Sequence, residues 1–393
     1  RDWSVTGVQT CALPISRILL GLVILCCTTS AAEFKLPASP LPLRARSRVA
    51  AIPTPASPVR PIGTPIAIPT PLGLPPVPIP ADNPPTADTV ALGHRLFYDK
   101  LLSIDRTLSC ASCHDPKFGM ADPNPGSKGF RDQVGNRNAP SILNTAYAAP
   151  LFWDGRAPNL EKQAEGPVQN PIELAHSLVG VERRLNSDPA YVAQFAKAFG
   201  PGPISYEMVE KSIASYERTL VSGNSPFDRY YFGGDKTAMN ESAIRGLQLF
   251  LDPSLRAANC VSCHRIDEHH ATFTEERFHN TGVAFDPATG KIKDPGRFAI
   301  NGDGRLMGGF RTLTLRNIAL TAPYMHDGSL KTLEEVIDFY FEGGRTNKHI
   351  SNDMPQPGLP GIPKEQQAQA KKDLVEFMKA LTGDMPPGAE PPK

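Results

Sequence analysis

The sequence predicts a mostly α-helical protein built from two related halves. Helical periodicity recurs along most of the chain, alternating strand patterns are scarce, and the same five-residue motif occurs once in each half. Thr89–Tyr98 carries apolar residues at Leu92 and Leu96, and Asn159–Glu165 consists largely of good helix formers. Leu178–Leu185 repeats at Leu178, Val181 and Leu185; Pro189–Phe199 is alanine-rich, with Tyr191 and Phe195 on one face. Tyr206–Val221 places Val209 and Ile213 together, and Ala238–Leu251 does so with Ile244, Leu247 and Leu251. Thr332–Phe341 aligns Leu333, Val336, Ile337 and Tyr340, and Lys364–Thr382 ends on Leu374, Met378 and Leu381. Long Gly/Pro/Asn loops separate these segments.

The 393 residues are enough to bury a sizeable core. Forty-one Lys and Arg against 40 Asp and Glu leave a formal charge of +1, so no electrostatic case exists for nucleic acid or an anionic membrane. No apolar run is long enough to span a bilayer. Residues 1–15 resemble a translated sequencing-library adapter and are set aside. Arg17, the apolar run Ile18–Cys27 and the small residues to Ala32 read as an export signal over 16–32 and predict a periplasmic protein. Cys26 and Cys27 allow a lipoprotein, but Ile24 and Leu25 are too bulky for a usual lipobox. Sixteen prolines fall between Pro37 and Pro85, so residues 33–85 read as a polyproline spacer that packs no core. Two working domains are expected, at 86–224 and 225–385, with packing of the last helix back on the first domain left open.

Four of the seven cysteines form Cys110-Ala-Ser-Cys113-His114 and Cys260-Val-Ser-Cys263-His264. Cys-x-x-Cys-His is the attachment pattern of c-type haem: two thiols bond the porphyrin, and the next histidine ligates iron. Four thiolates could hold zinc, but a zinc ribbon needs no histidine after each second cysteine. Two covalent haems are therefore expected, and no disulfide framework.

Beyond these motifs the chain carries Leu92–Tyr98, Arg137–Ser141, Phe152-Trp-Asp-Gly-Arg156, Gly166–Glu173, Ser225–Asp228 and Leu315–Gly328. In order and spacing, residues 88–383 resemble the bacterial di-haem cytochrome c peroxidase and MauG family. That resemblance implies two cytochrome c-like helical domains. Hydrogen peroxide would react at the His114 haem, and electrons would enter through the His264 haem. It implies Trp153 as an inter-haem stepping stone, although a packed core tryptophan is compatible with the same residue. Glu173 matches the distal acid–base glutamate, Gln163 a distal polar residue and Pro167 a cap on that pocket; a lone glutamate there also reads as a helix-start charge. A calcium ion between the domains is implied, on the Asn138 side chain and the Thr321 and Pro323 carbonyls. His326 is read as a supporting residue, and His94, His269, His270, His279 and His349 as solvated.

Two departures from the family pattern stand out. No histidine occurs from Asp115 to Val168, and Phe130 stands where conventional members place a displaceable ligand. The first haem is therefore expected open at rest, with His176 on the surface. Tyr340 resembles the MauG-type tyrosine ligand of the second haem, with Met325 and Met354 as alternatives. Together these departures point to a MauG-like enzyme that oxidises a partner protein through high-valent haems. A conventional peroxidase with a small cytochrome or cupredoxin donor, and a non-catalytic electron carrier, stay open.

Overall fold

The computed structural model describes residues 59–252, 260–354 and 364–392. The adapter-like run, the export signal and the first part of the proline-rich segment lie outside them. Eleven helices are described: α1 Ala87–Tyr98, α2 Leu160–Gln169, α3 Leu178–Asn186, α4 Pro189–Phe199, α5 Tyr206–Glu217, α6 Pro226–Tyr231, α7 Glu241–Leu251, α8 Cys260–Cys263, α9 Phe298–Asn301, α10 Leu333–Phe341 and α11 Gln367–Lys379. All eight expected helices are present within a few residues of their expected limits. Short α6 was missed; Pro226 follows the Ser225 cap, and the segment is too brief to show a period. Among the described residues strand is confined to two antiparallel pairs, β1 Phe278–His279 with β4 Phe310–Arg311 and β2 Phe285–Asp286 with β3 Lys291–Ile292.

Two large apolar clusters hold the helices. One gathers Leu92, Leu96, Val181, Tyr191, Phe195, Val209 and Ile213 from α1 to α5. The other gathers Phe227, Leu247, Phe250, Ile337, Leu374 and Phe377 from α6, α7, α10 and α11. In each, one glycine sets the helix crossing. A Cβ on Gly93 of α1 would lie 1.9 Å from the Ser212 carbonyl of α5, and one on Gly246 of α7 would lie 2.0 Å from the Asp373 carbonyl of α11. Only glycine permits either approach.

The repeat continues into the loops. Asn144 and Asn317 are both buried and left-handed, and their N–H groups donate to the Leu220 and Leu381 carbonyls at 2.9 and 3.1 Å. Pro150-Leu-Phe-Trp-Asp-Gly155 and Pro323-Tyr-Met-His-Asp-Gly328 follow at the same distance, with Phe152, Gly155, Met325 and Gly328 all at positive φ. Trp153 and His326 are therefore equivalent positions in the two halves.

The proline-rich segment departs from expectation over residues 59–85, where it is bound along its length. Ile62 N–H donates to the Ala198 carbonyl at 2.8 Å, Asn224 N–H to that of Leu72 at 2.9 Å, and the Tyr147 hydroxyl to that of Pro75 at 2.8 Å. Polyproline backbone leaves its carbonyls free, and here neighbouring donors take them. The Gly73 carbonyl accepts from Ala271 N–H at 3.0 Å and from Arg316 Nη2 at 2.6 Å. Arg316 also pairs with Asp228 at 2.8 Å, both fully buried. Asp228→Ala strands the guanidinium without its counter-charge, at an expected cost of about 3–5 kcal/mol in denaturant unfolding. A loss below about 1 kcal/mol would mean that Arg316 finds other acceptors.

Candidate haem and peroxide site

Both motifs present their histidines in the same way. Cys110–Ser112 forms a short 3₁₀ turn and Cys260–Cys263 one turn of helix, so each His N–H donates to the carbonyl of the first cysteine, at 3.1 Å for His114 and 2.8 Å for His264. His114 Nδ1 lies 3.1 Å from the Met120 carbonyl and His264 Nδ1 2.9 Å from that of Phe273. Met120 and Phe273 are both left-handed, which turns those carbonyls toward the rings. A ring held through Nδ1–H leaves the Nε2 lone pair free for a metal. Burial pushes both imidazoles below their ordinary pKa, favouring the neutral, ligating form. The four thiols form no disulfide.

A single cavity of about 460 Å³ is lined by both triads, Cys110, Cys113, His114 and Cys260, Cys263, His264. On the side of α2, Leu160, Gln163, Ala164, Pro167 and Val168 line it, the i, i+3, i+4 spacing of one helix face. Pro167 lies inside the helix and has no N–H for the Gln163 carbonyl four residues back. Glu173 lines the same cavity. Burial raises its pKa, opposed by a hydrogen bond from Asn170 Nδ2 at 2.5 Å and by the charge of Arg156.

Phe130 does not line the cavity. Its ring lies under the Arg131 guanidinium, and its N–H donates to the Glu173 carbonyl at 2.9 Å. A Cβ on Gly129 would lie 1.8 Å from the Ile172 carbonyl, so this loop is seated on the segment that carries Glu173. His176, expected on the surface, is buried beside the start of α3, accepts from Ser177 N–H at 2.9 Å and does not reach the cavity. His279 is also not solvated: its Nε2 lies 2.8 Å from Glu275 Oε1 and 3.9 Å from Cys263 Sγ. Single polar residues have no period, so burial of both histidines was invisible in sequence.

Trp153, Asn138, Thr321, Pro323, His326, Tyr340, Met325 and Met354 also line the cavity. Trp153 Nε1 donates to the Asn138 carbonyl at 2.8 Å, and Asn138 N–H donates to the His326 carbonyl at 2.8 Å. The His326 ring meets Trp153 edge-on at 6.3 Å and stacks on Phe310 at 3.6 Å. Burial pushes its pKa down to about 4, so it is neutral. The Asn138 Oδ1 and the Thr321 and Pro323 carbonyls accept no hydrogen bond among the described residues, while Asn138 Nδ2 is held by the Asp122 and Asn124 carbonyls at 3.0 and 2.8 Å. Tyr340 is half-buried near Cys263 and Cys260; desolvation, reinforced by those thiols, pushes its phenol pKa well up.

Residues 87–237 match the family model for di-haem cytochrome c peroxidase. The chain is 37% identical over 309 residues to the methylamine utilization protein MauG of Methylorubrum extorquens, covering 78% of this chain and 82% of that one. The chain belongs to the di-haem cytochrome c peroxidase family. It is also 35% identical to cytochrome c551 peroxidase of Nitrosomonas europaea, over 79% of this chain and 84% of that one. A solved structure described as a MauG-like protein associated with microbial copper homeostasis superposes with a TM-score of 0.71 at 35% identity, covering 82% of this chain and 98% of that chain. Peroxidases of this family are oxidoreductases, and this chain is an enzyme of that class. The family carries two c-type haems, and the paired free thiols with neutral, Nε2-free histidines on one cavity fit them. Among the described residues no helix is long and apolar enough to cross a membrane.

Proposed function

We propose that the protein is an exported di-haem peroxidase that reduces hydrogen peroxide at the haem of Cys110, Cys113 and His114. Cys260, Cys263 and His264 would hold a second haem that supplies the electrons, with Trp153 as the stepping stone. The observation that carries this reading is the single cavity shared by both triads, Trp153 and the Gln163–Pro167–Glu173 group. When bound, the haems supply the iron chemistry and the redox equivalents. The chain's own contribution is proton handling and exclusion of water. Glu173 accepts the proton of the incoming peroxide and returns it to the leaving oxygen, and Gln163 orients the substrate. Pro167 and the apolar face of α2 keep the pocket dry.

Tyr340 would supply a protein ligand to the second haem and, with Phe130 in place of a displaceable histidine, favours the MauG-like reading: oxidation of a partner protein rather than of a small cytochrome. A phenolate donates charge and stabilises oxidised iron. Tyr340→Phe should change the low-spin spectrum and raise that haem's potential. An unchanged spectrum and potential would assign the ligand to Met325 or Met354, which line the same cavity.

The oxygen-only set of Asn138, Thr321 and Pro323 suits calcium. Domains at 86–224 and 225–385 are supported by the two apolar clusters, whose residues separate close to that boundary. A periplasmic location is supported by the chemistry of covalent haem attachment and by the export-like run at 16–32.

The test of the assignment is covalent haem content with peroxide turnover. Cys110→Ser with Cys113→Ser should remove one of two haem equivalents after denaturation and abolish peroxide consumption. Two haems retained in that variant, or peroxide ignored by the wild type, would overturn the reading.

A further inference from the structure

Helices α5 and α11 occupy equivalent places in the two halves, and one position on them is filled by opposite chemistry. The Ser212 and Asp373 carbonyls abut Gly93 and Gly246, and the Leu220 and Leu381 carbonyls take the N–H groups of Asn144 and Asn317. In that register Ile213 corresponds to Leu374 and Glu217 to Met378, and all four side chains line the cavity. The second half fills with a thioether what the first half fills with a carboxyl. The fold itself does not need an acid at this position.

Glu217 is 5% exposed, and its carboxyl makes no hydrogen bond among the described residues. The adjacent cation is committed elsewhere: Arg218 grips Glu161 on α2 through Nη1 at 2.8 Å and Nη2 at 3.0 Å, and Glu161 also takes Asn83 Nδ2 at 2.7 Å. On its other sides Glu217 lies within electrostatic range of the first haem-attachment cysteine and of Tyr216. Its charge acts on the Cys110 thiol, as does that of Glu173, and on the Tyr216 hydroxyl, which neighbours Tyr98 of α1. Both phenols are held on carbonyls of the C-terminal segment and titrate above their ordinary range. Burial pushes the Glu217 carboxyl up to about 8, with Arg218 opposing and Glu161 reinforcing the rise. At neutral pH it therefore keeps its proton, and it ionises only in mild alkali.

We propose that Glu217 is a redox-linked proton site of the first haem. Where it is ionised, its carboxylate takes one proton from solvent as the haem held by Cys110, Cys113 and His114 takes one electron from a reducing protein donor, so over that pH range no net charge is added to the buried cavity. This rests on the haem assignment proposed above. Adding an uncompensated charge to a low-dielectric interior is costly, and a carboxylate facing that space with no hydrogen-bonded counter-ion is the group whose protonation offsets it. Oxidation reverses the step and returns the proton.

The experiment is a spectroelectrochemical titration of the holoprotein between about pH 6 and about pH 10, bracketing the ionisation of a raised carboxyl. In the wild type the first haem's potential should be level at the acid end. Once the carboxyl ionises, the reduction equilibrium should fall tenfold per pH unit, about 59 mV for one electron. Glu217→Gln and Glu217→Met should be level throughout; the methionine copies the side chain that the second half already packs there. The second haem should titrate identically in all three. Redox-difference infrared spectra should contain a protonated-carboxyl band lost in both Glu217 variants and kept in Glu173→Gln. An unaltered slope in the Glu217 variants, or a level wild type, overturns the proposal. Haem content and peroxide consumption on the same samples separate the two readings. A wild type that titrates as described yet ignores peroxide overturns only the proposed function, and one with no haem on Cys110 and Cys113 overturns both.

Discussion

Glu173→Gln should slow the reaction of the oxidised protein with peroxide by about two orders of magnitude or more, the usual scale for loss of a positioned acid–base group. The amide keeps the size of the side chain but cannot accept the peroxide proton. The wild-type rate should also fall as pH drops through the pKa of this carboxyl, because only the ionised form serves as base. Burial raises that pKa against the opposing pull of Asn170 and Arg156, so the acid limb should lie above the ordinary glutamate range. Stopped-flow rates across pH check both points. A variant within a few-fold of wild type, or one that keeps the acid limb, would move the base to another group on the cavity.

The fully oxidised protein should react with peroxide without prior reduction. Among the described residues between Asp115 and Val168 there is no histidine, and Phe130 is held outside the cavity by its bond to the Glu173 carbonyl. His176 is turned into the protein beside α3. No strong ligand then has to leave before peroxide enters. Rates for the oxidised and one-electron-reduced protein should agree within about tenfold, equivalent to about 1.4 kcal/mol of barrier. A high-spin signal should be present at rest. A wholly low-spin protein, inert until half-reduced, would show that some other residue closes the site.

The mostly helical class and the eight longer helices were legible because apolar residues at 3.6-residue spacing report one buried face directly. The haem triads were legible for a different reason. Covalent attachment demands its thiols and histidine within five consecutive residues, so the chemistry is local. Glu173, Gln163 and Trp153 had no such local signature. They entered through resemblance to a family, and the cavity then collected them from α2, the segment after it and the loop after Pro150. Nothing in single-residue patterns marked Met120 and Phe273 as the carbonyls that orient the two histidines, because any residue supplies a carbonyl and only its left-handed backbone aims it. A signal for the repeat did exist. Gly93-x-x-Leu-Phe97 and Gly246-x-x-Leu-Phe250 share spacing, and Pro150-x-x-Trp-Asp-Gly155 parallels Pro323-x-x-His-Asp-Gly328.

The proline-rich segment marks the boundary of what composition can report. Its residues do lack the means to form a core of their own, as expected. Over 59–85 they are nevertheless held, because the donors that take their carbonyls come from Ala271, Arg316, Asn224 and Tyr147, far away in sequence. The same holds for Glu217. By itself the sequence determined which residues can hold haem and which segments are helical, since both are written over a few neighbouring positions. Only the tertiary structure decided that a carboxyl on α5 faces the cavity without a hydrogen-bonded partner while Arg218 turns to Glu161, because pairing and burial depend on what distant segments bring alongside.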